Sequence, residues 1–311
     1  MVYTSANGIH WDEDAHYMYY PHGPLARTEI GEDEIQGIDY AYTLQGWIKG
    51  VNSAYLRTHT DMGHDGLKAS EHKYFGQDVV GYVLNYFDGD YDNIGQSGPA
   101  DRFDSKMAGS YALQPQENLY NGNIRAMITA IRPFMQAGSP AGYKYQYDQL
   151  HRIKGMDYYT GMNINNWSSA SVSTDYQTRY SYDANGNILS LSRHGAASIQ
   201  TAMDDMSYHY DQANNRLTHV NDAIPATSVY TTDIENQNSN NYQYDRNGNL
   251  IRDVAEGLSI KWNLSGKVSQ IIKDNGTIIT FRYDALGNRI IKSHNDTLTW
   301  YVRDASGNAM A

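Results

Sequence analysis

One motif recurs through the chain and restricts its fold more than any other feature: Tyr-x-Tyr-Asp-x-x-Gly-Asn, followed by Leu or Ile. It stands complete at Tyr180-Ser181-Tyr182-Asp183-Ala184-Asn185-Gly186-Asn187-Ile188 and at Tyr242-Gln243-Tyr244-Asp245-Arg246-Asn247-Gly248-Asn249-Leu250. Phe281-Arg282-Tyr283-Asp284-Ala285-Leu286-Gly287-Asn288 opens on Phe, and Tyr301-Val302-Arg303-Asp304-Ala305-Ser306-Gly307-Asn308 carries Arg in place of the second ring. Looser copies begin at Tyr145-Gln146-Tyr147-Asp148 and Tyr208-His209-Tyr210-Asp211. A Trp variant runs Ile260-Lys261-Trp262-Asn263-Leu264-Ser265-Gly266, and Tyr40-Ala41-Tyr42-Thr43-Leu44-Gln45-Gly46 places Thr in the Asp slot. Toward the C-terminus the repeat advances by about 20 residues, a period that marks a repeat architecture.

Each position in the motif has a physical reading. Alternate side chains of a strand share a face, so Tyr-x-Tyr sets two rings side by side. Asp opens a type I turn by accepting hydrogen bonds from the backbone that follows it. Gly three residues later adopts positive φ at little cost and closes the hairpin. The expected turn residues are therefore Asp148, Asp183 with Gly186, Asp211, Asp245 with Gly248, Asp284 with Gly287, and Asp304 with Gly307. A lone hairpin is marginal in water, so the copies are expected to lie side by side as one long antiparallel sheet with a Tyr-lined face. The expected class is all-β.

Composition agrees with such a wall. Leu, Ile, Val and Phe make up about 18% of the 311 residues, near the level where disorder becomes a live reading. A net charge of only −11 and 28 Tyr oppose disorder. Buried phenols need hydrogen-bond partners, so many such bonds are expected. Residues 1–118 are acidic and residues 119–311 neutral, which suggests N-terminal strands over 1–54, an acidic insertion over 55–118 and a repeat region over 119–311. The absence of Cys removes disulfides and thiolate chemistry. A pI near 5.4 without a basic stripe argues against nucleic acid. No apolar run is long enough for a transmembrane helix, and the first residues lack the pattern of a signal peptide.

Chemical sites are sparse. His59-Thr60-Asp61-Met62-Gly63-His64-Asp65 has metal-capable residues, but its spacing matches no ligand motif, and it reads as a solvated loop. Asp88-Gly89-Asp90-Tyr91-Asp92 reads as a turn after the apolar strand Val79–Leu84, with a calcium loop as the alternative. The Asp-x-Asn-Gly-Asn turns have Gly at the fourth place rather than the sixth, so they are turns rather than calcium loops. No nucleophile elbow, phosphate loop or dinucleotide fingerprint occurs, and neither an enzyme nor a cofactor is expected. A second reading gives Tyr145, Tyr147, Tyr180, Tyr182, Tyr208, Tyr210, Tyr242 and Tyr244 to stacking on glycans; the first gives them to packing between repeats.

The motif resembles the YD repeats of RHS proteins. More narrowly, Gly23-Pro24-Leu25-Ala26-Arg27, Gln36–Trp47 and Leu119-Tyr120-Asn121-Gly122-Asn123-Ile124 resemble RHS-repeat proteins of Bacteroidetes-type bacteria. The resemblance runs from about Tyr17 to Ala311. It implies a spiral β-strip closing into a shell around a C-terminal toxin or other cargo, in a protein that is secreted or displayed at the cell surface. The implied partners are the remaining shell segments and that cargo. The family's self-cleaving core carries an Asp-Pro-x-Gly motif that is absent here, so its cleavage residues map onto no position of this chain.

Overall fold

The computed structural model describes the chain except residues 57–59, 93–102, 104–117, 133–139, 163–166, 168–169, 200–201, 227–232, 296, 305 and 310–311. The described residues form an all-β chain with two sheets, of thirteen and seven strands, each in strict chain order. Such an order is what successive hairpins produce, because short turns join antiparallel neighbours. The chain divides into two compact units, residues 1–179 with 193–201, and residues 180–192 with 202–311. No helix among the described residues is long and apolar enough to cross a membrane.

The first unit contains β1 (Val2–Thr4), β2 (Asp12–Tyr19), β3 (Leu25–Ile30), β4 (Gln36–Tyr42), β5 (Ile48–Val51) and β6 (Val80–Asn85). It continues through β7 (Ala126–Ile131), β8 (Ala141–Tyr147), β9 (Ile153–Thr160) and most of β10 (Ser171–Tyr182). Its core gathers Ala41, Ala54, Val83, Phe103, Ala126, Ile128, Tyr159, Met162, Trp167 and Ala170. β4 alternates strictly, with Gly37, Asp39 and Ala41 turned inward. A small residue admits the largest ring: a Cβ on Gly142 would lie 2.9 Å from Trp167.

The second unit contains most of β11 (Ile188–His194), then β12 (Ala202–Asp211), β13 (Arg216–Asp222), β14 (Tyr242–Tyr244) and β15 (Leu250–Asp253). It ends with β16 (Leu258–Trp262), β17 (Val268–Lys273), β18 (Ile278–Tyr283), β19 (Arg289–His294) and β20 (Thr297–Trp300). Met206 and Val220 are buried, but no apolar side chain beyond Val220 is fully buried among the described residues. Asn241 and Asp253 are buried there instead and bond to each other at 3.0 Å. This unit is thus held by half-buried side chains and backbone ladders more than by a filled centre.

The hairpins share one irregularity. Gln243 faces Arg252 while Tyr244 faces Leu250, which leaves Ile251 unmatched. The same slip occurs before Trp262 opposite Val268 and before Tyr283 opposite Arg289. In the first unit it recurs before Tyr42 and Tyr147. Each is a bulge with one extra residue on the return strand, which increases the local twist.

Candidate functional site

The turn carboxylates are engaged with their own loops. Asp245 Oδ1 accepts the backbone N–H of Asn247 and Asn249, both at 2.9 Å, while Oδ2 accepts the Asn249 amide. Asp183, Asp284 and Asp304 repeat this clamp on Asn187, Asn288 and Asn308. Asp148 holds the N–H of Leu150 and Arg152, and Asp211 holds Ala213. Gly186, Gly248, Gly287 and Gly307 all have φ between 83° and 95°. Where the motif lacks that glycine, His151 takes the strained place at φ 64°. Adjacent turns also touch, since the Asn187 amide donates to Asn215 Oδ1 at 2.6 Å. The turn carboxylates thereby have a local use in closing their own loops.

These clamps hold the Asp245 carboxyl below the ordinary carboxylate range, first through the Asn249 side chain and then through its backbone N–H. A depressed folded pKa gives stability that is present above the unfolded value, about 3.9, and is lost as pH falls through the folded value. We therefore expect urea midpoints of the native chain to fall more steeply between about pH 5 and pH 2 than those of Asp245→Asn, whose amide oxygen still accepts both N–H groups. Parallel curves would remove the clamp from the account.

In several copies of the motif the second ring makes a bond that composition only suggested. Tyr210 donates its hydroxyl to the carbonyl of Ile188, Tyr244 to Leu217, and Tyr283 to Val268. Trp262 does the same through its indole N–H, to Leu250 at 2.8 Å. In the first unit Tyr86 donates to Ile48 and Tyr147 to Ile124. The second unit shows the logic. Leu217 faces Tyr210, Leu250 faces Tyr244, and Val268 faces Trp262. Each ring therefore bonds the carbonyl opposite the previous ring, so that one hairpin is latched to the one before it. Burial raises the Tyr86 hydroxyl to about 12 and raises the Tyr244 hydroxyl as well, so both stay protonated donors.

Removing one latch should cost about 1–3 kcal/mol, because the Leu217 carbonyl would lose its donor beneath a half-buried ring. Tyr244→Phe, which keeps the ring, is the clean test. A urea midpoint equal to that of the native chain would show that the latch contributes nothing.

The first rings are less uniform. Tyr145 and Tyr208 point their hydroxyls at the sulfurs of Met127 and Met206, and Gln237 donates to Tyr242. Tyr180 and Tyr182 stack at 6.4 Å. All eight tyrosines named in the sequence reading are half-buried. Tyr208 and Tyr210 line an open cleft of roughly 880 Å3 between the Asp183 and Asp211 turns.

The loop before β6 departs from expectation. His59 lies outside the described residues, but Asp61 and Asp65 are buried, so this segment is not a solvated loop. The cause is Arg27 on β3, only 4% exposed. Its guanidinium bonds Asp39 at 2.6 Å, Asp65 at 2.7 Å and Glu29 at 2.9 Å, and it lies 4.7 Å over the Phe75 ring. Two glycines make the space. A Cβ on Gly37 would lie 2.1 Å from Nη2 of Arg27, and one on Gly63 would lie 2.1 Å from Nη1. Burial raises the Asp39 carboxyl to about 6 against the pull of Arg27. Asp78 is raised further, by burial and then by repulsion from Asp61.

A second inward pair stands nearby. Lys49, the extra residue of its bulge, is fully buried and bonds Asp90 at 2.7 Å and Asn85 at 3.0 Å. Asp90 also accepts the Tyr86 N–H, which makes 86–90 a turn as its sequence suggested, while Asp88 and Asp92 stay exposed. In the second unit Asp204, Asp222 and Asp233 converge. The sequence reading had singled out neither Arg27 as a charge centre nor Asp39, Lys49 or Asp78.

A family model described as the teneurin YD-shell matches residues 113–301. The chain is 31% identical over 107 residues to the tRNA3(Ser)-specific nuclease WapA of Bacillus spizizenii, an overlap of 32% of this chain and 4% of that protein. Among solved structures it is similar to a TcdB2–TccC3 complex, with 14% identity, a TM-score of 0.27, and coverage of 98% of this chain and 18% of that one. A Tc holotoxin pore from Photorhabdus luminescens gives 13% identity and a TM-score of 0.26, with coverage of 97% and 22%. The chain thus spans a small part of the length of each relative.

Proposed function

The chain belongs to the teneurin YD-shell family, and from that membership we propose that it supplies a stretch of wall to a β-shell that encloses or displays a toxin or other cargo. The observation that supports a wall most directly is the series of latches. Ring after ring is committed to the backbone of the preceding hairpin. The turn carboxylates are likewise occupied by their own loops, which leaves them unsuited to acid–base work. On this reading the segment is not catalytic, and the longer protein acts outside the cell or at its surface.

The test is to express the chain with the sequence that flanks it in its genome and to image it by electron microscopy. A hollow particle is expected, with an enclosed segment that trypsin reaches only after the wall is unfolded in urea. A solid particle, or an equally fast digestion in native buffer, would refute enclosure.

A further inference from the structure

The aspartates around Arg27 have an unbalanced charge. Asp39 on β4, Asp61 and Asp65 in the loop before β6, and Asp78 just ahead of that strand are all more than nine-tenths buried. Arg27 takes one oxygen of Asp39 and one of Asp65, and Gln36 takes one oxygen of Asp78 at 3.3 Å. Among the described residues, three oxygens from three carboxylates are buried without a hydrogen-bond partner: Asp61 Oδ1, Asp65 Oδ2 and Asp78 Oδ2. Among the described residues, Arg27 faces these four aspartates with the His72 ring beside Glu29, and its guanidinium also serves Glu29. A buried carboxylate without a counter-charge is strongly unfavourable, which favours a further positive species at this cluster.

Two species could supply that charge, a proton or a metal ion. A proton shared between Asp61 and Asp78 would satisfy two of the three orphaned oxygens. Asp65 Oδ2, which lies against Gly37, would remain unpaired. A cation between Asp39, Asp61 and Asp65 would instead draw on two of the three orphaned carboxylates, Asp61 and Asp65, and leave Asp78 beside it to keep a proton. Asp39, Asp61 and Asp65 each bring an oxygen within 4.8 Å of the others, a spread that fits one coordination sphere with metal–oxygen distances of about 2.4 Å. The loop is also set for it, because Asp61 Oδ2 accepts the Asp65 N–H and fixes the two carboxylates relative to each other. An all-carboxylate set of hard oxygens favours calcium over zinc or copper.

We propose that Asp39, Asp61 and Asp65, with Asp78 beside them, hold a calcium ion that ties the loop before β6 to β4. The ion would act as a clasp in the wall, at a place where the chain leaves the hairpin repeat and returns to it.

The full chain, stripped with EDTA, is titrated with calcium chloride by calorimetry at neutral pH, and its melting is followed with and without calcium. One ion per chain and a raised melting temperature are expected. Asp61→Asn, which can still accept the Asp65 N–H, should weaken binding at least about tenfold, as the loss of a charged ligand would. Asp183→Asn in the second unit should bind as the native chain does. Circular dichroism establishes that each variant is folded, and the native chain carries the test if Asp61→Asn is not. No heat and no shift up to about 10 mM calcium, well above the weakest oxygen sites, would overturn the proposal in favour of protons. Magnesium binding without calcium binding would overturn the choice of ion, and unchanged affinity in Asp61→Asn would overturn the location.

Discussion

Arg27→Met should lower the unfolding free energy of the first unit by about 3–5 kcal/mol, the range for breaking a buried pair by removing one partner. The Met side chain replaces most of the volume of the arginine stem, so the loss reports charge rather than a cavity. Asp39 and Asp65 would each be left with a buried oxygen that has lost its donor. The loop carrying Asp61 and Asp65 would lose its hold on β3 and β4. Hydrogen exchange should therefore quicken over residues 36–42 and 61–66 before it quickens over β7. Arg27→Lys should recover only part of the loss, because an ammonium cannot span Glu29, Asp39 and Asp65 as the planar fork does. Gly37→Ala and Gly63→Ala should resemble Arg27→Met, since either new Cβ falls within 2.1 Å of a guanidinium nitrogen. A loss below about 1 kcal/mol for Arg27→Met would place this cluster with surface ion pairs and remove its structural role.

The contrast between this cluster and the turns shows what a sequence exposes and what it hides. The Asp245 clamp closes within four residues, so residue types at fixed spacing describe it fully. Such local side-chain bonds are written in the motif itself. The latches were half legible. The motif shows an aromatic before every turn Asp except Asp304, but the acceptor of Tyr244 is a main-chain carbonyl 27 residues earlier, and no residue type marks a carbonyl. Trp262 keeps the function because the acceptor asks only for an N–H or O–H donor on a flat ring.

Arg27 and Asp65, 38 residues apart, were not legible. An acidic stretch ordinarily reads as a solvated surface, and the charge excess of residues 1–118 encouraged that reading for Asp61 and Asp65. What opposed it was weak: Gly37 and Gly63 have no positive φ to explain them and stand close in sequence to Asp39, Asp61 and Asp65. Each turns out to be the missing Cβ that lets a guanidinium approach. The low aliphatic content was the more faithful signal. It corresponds to a second unit in which Asn241 and Asp253 are buried while the apolar side chains of β14 to β20 are not fully covered.

Lys49 offers the second large effect and a sharper measurement. It sits at the bulge after the Thr43 turn, where an extra residue leaves the strand pairing and can send its side chain inward. Its ammonium is fully buried, and burial lowers its pKa while Asp90 pulls it back up. Lys49→Met should cost about 3–5 kcal/mol, because Asp90 and Asn85 would then face an apolar group. Asp90→Asn alone should also destabilise by several kcal/mol, since the ammonium would lose its counter-charge while the Tyr86 cap survives on the amide oxygen. The double variant is the decisive arm. With both charges gone, no ion is buried, and its cost should fall well below the sum of the singles, with a coupling of roughly 1–3 kcal/mol. Additive losses would mean that the two groups act apart, and that the bulge rather than the ion pair fixes the approach of β5 to the 86–90 turn.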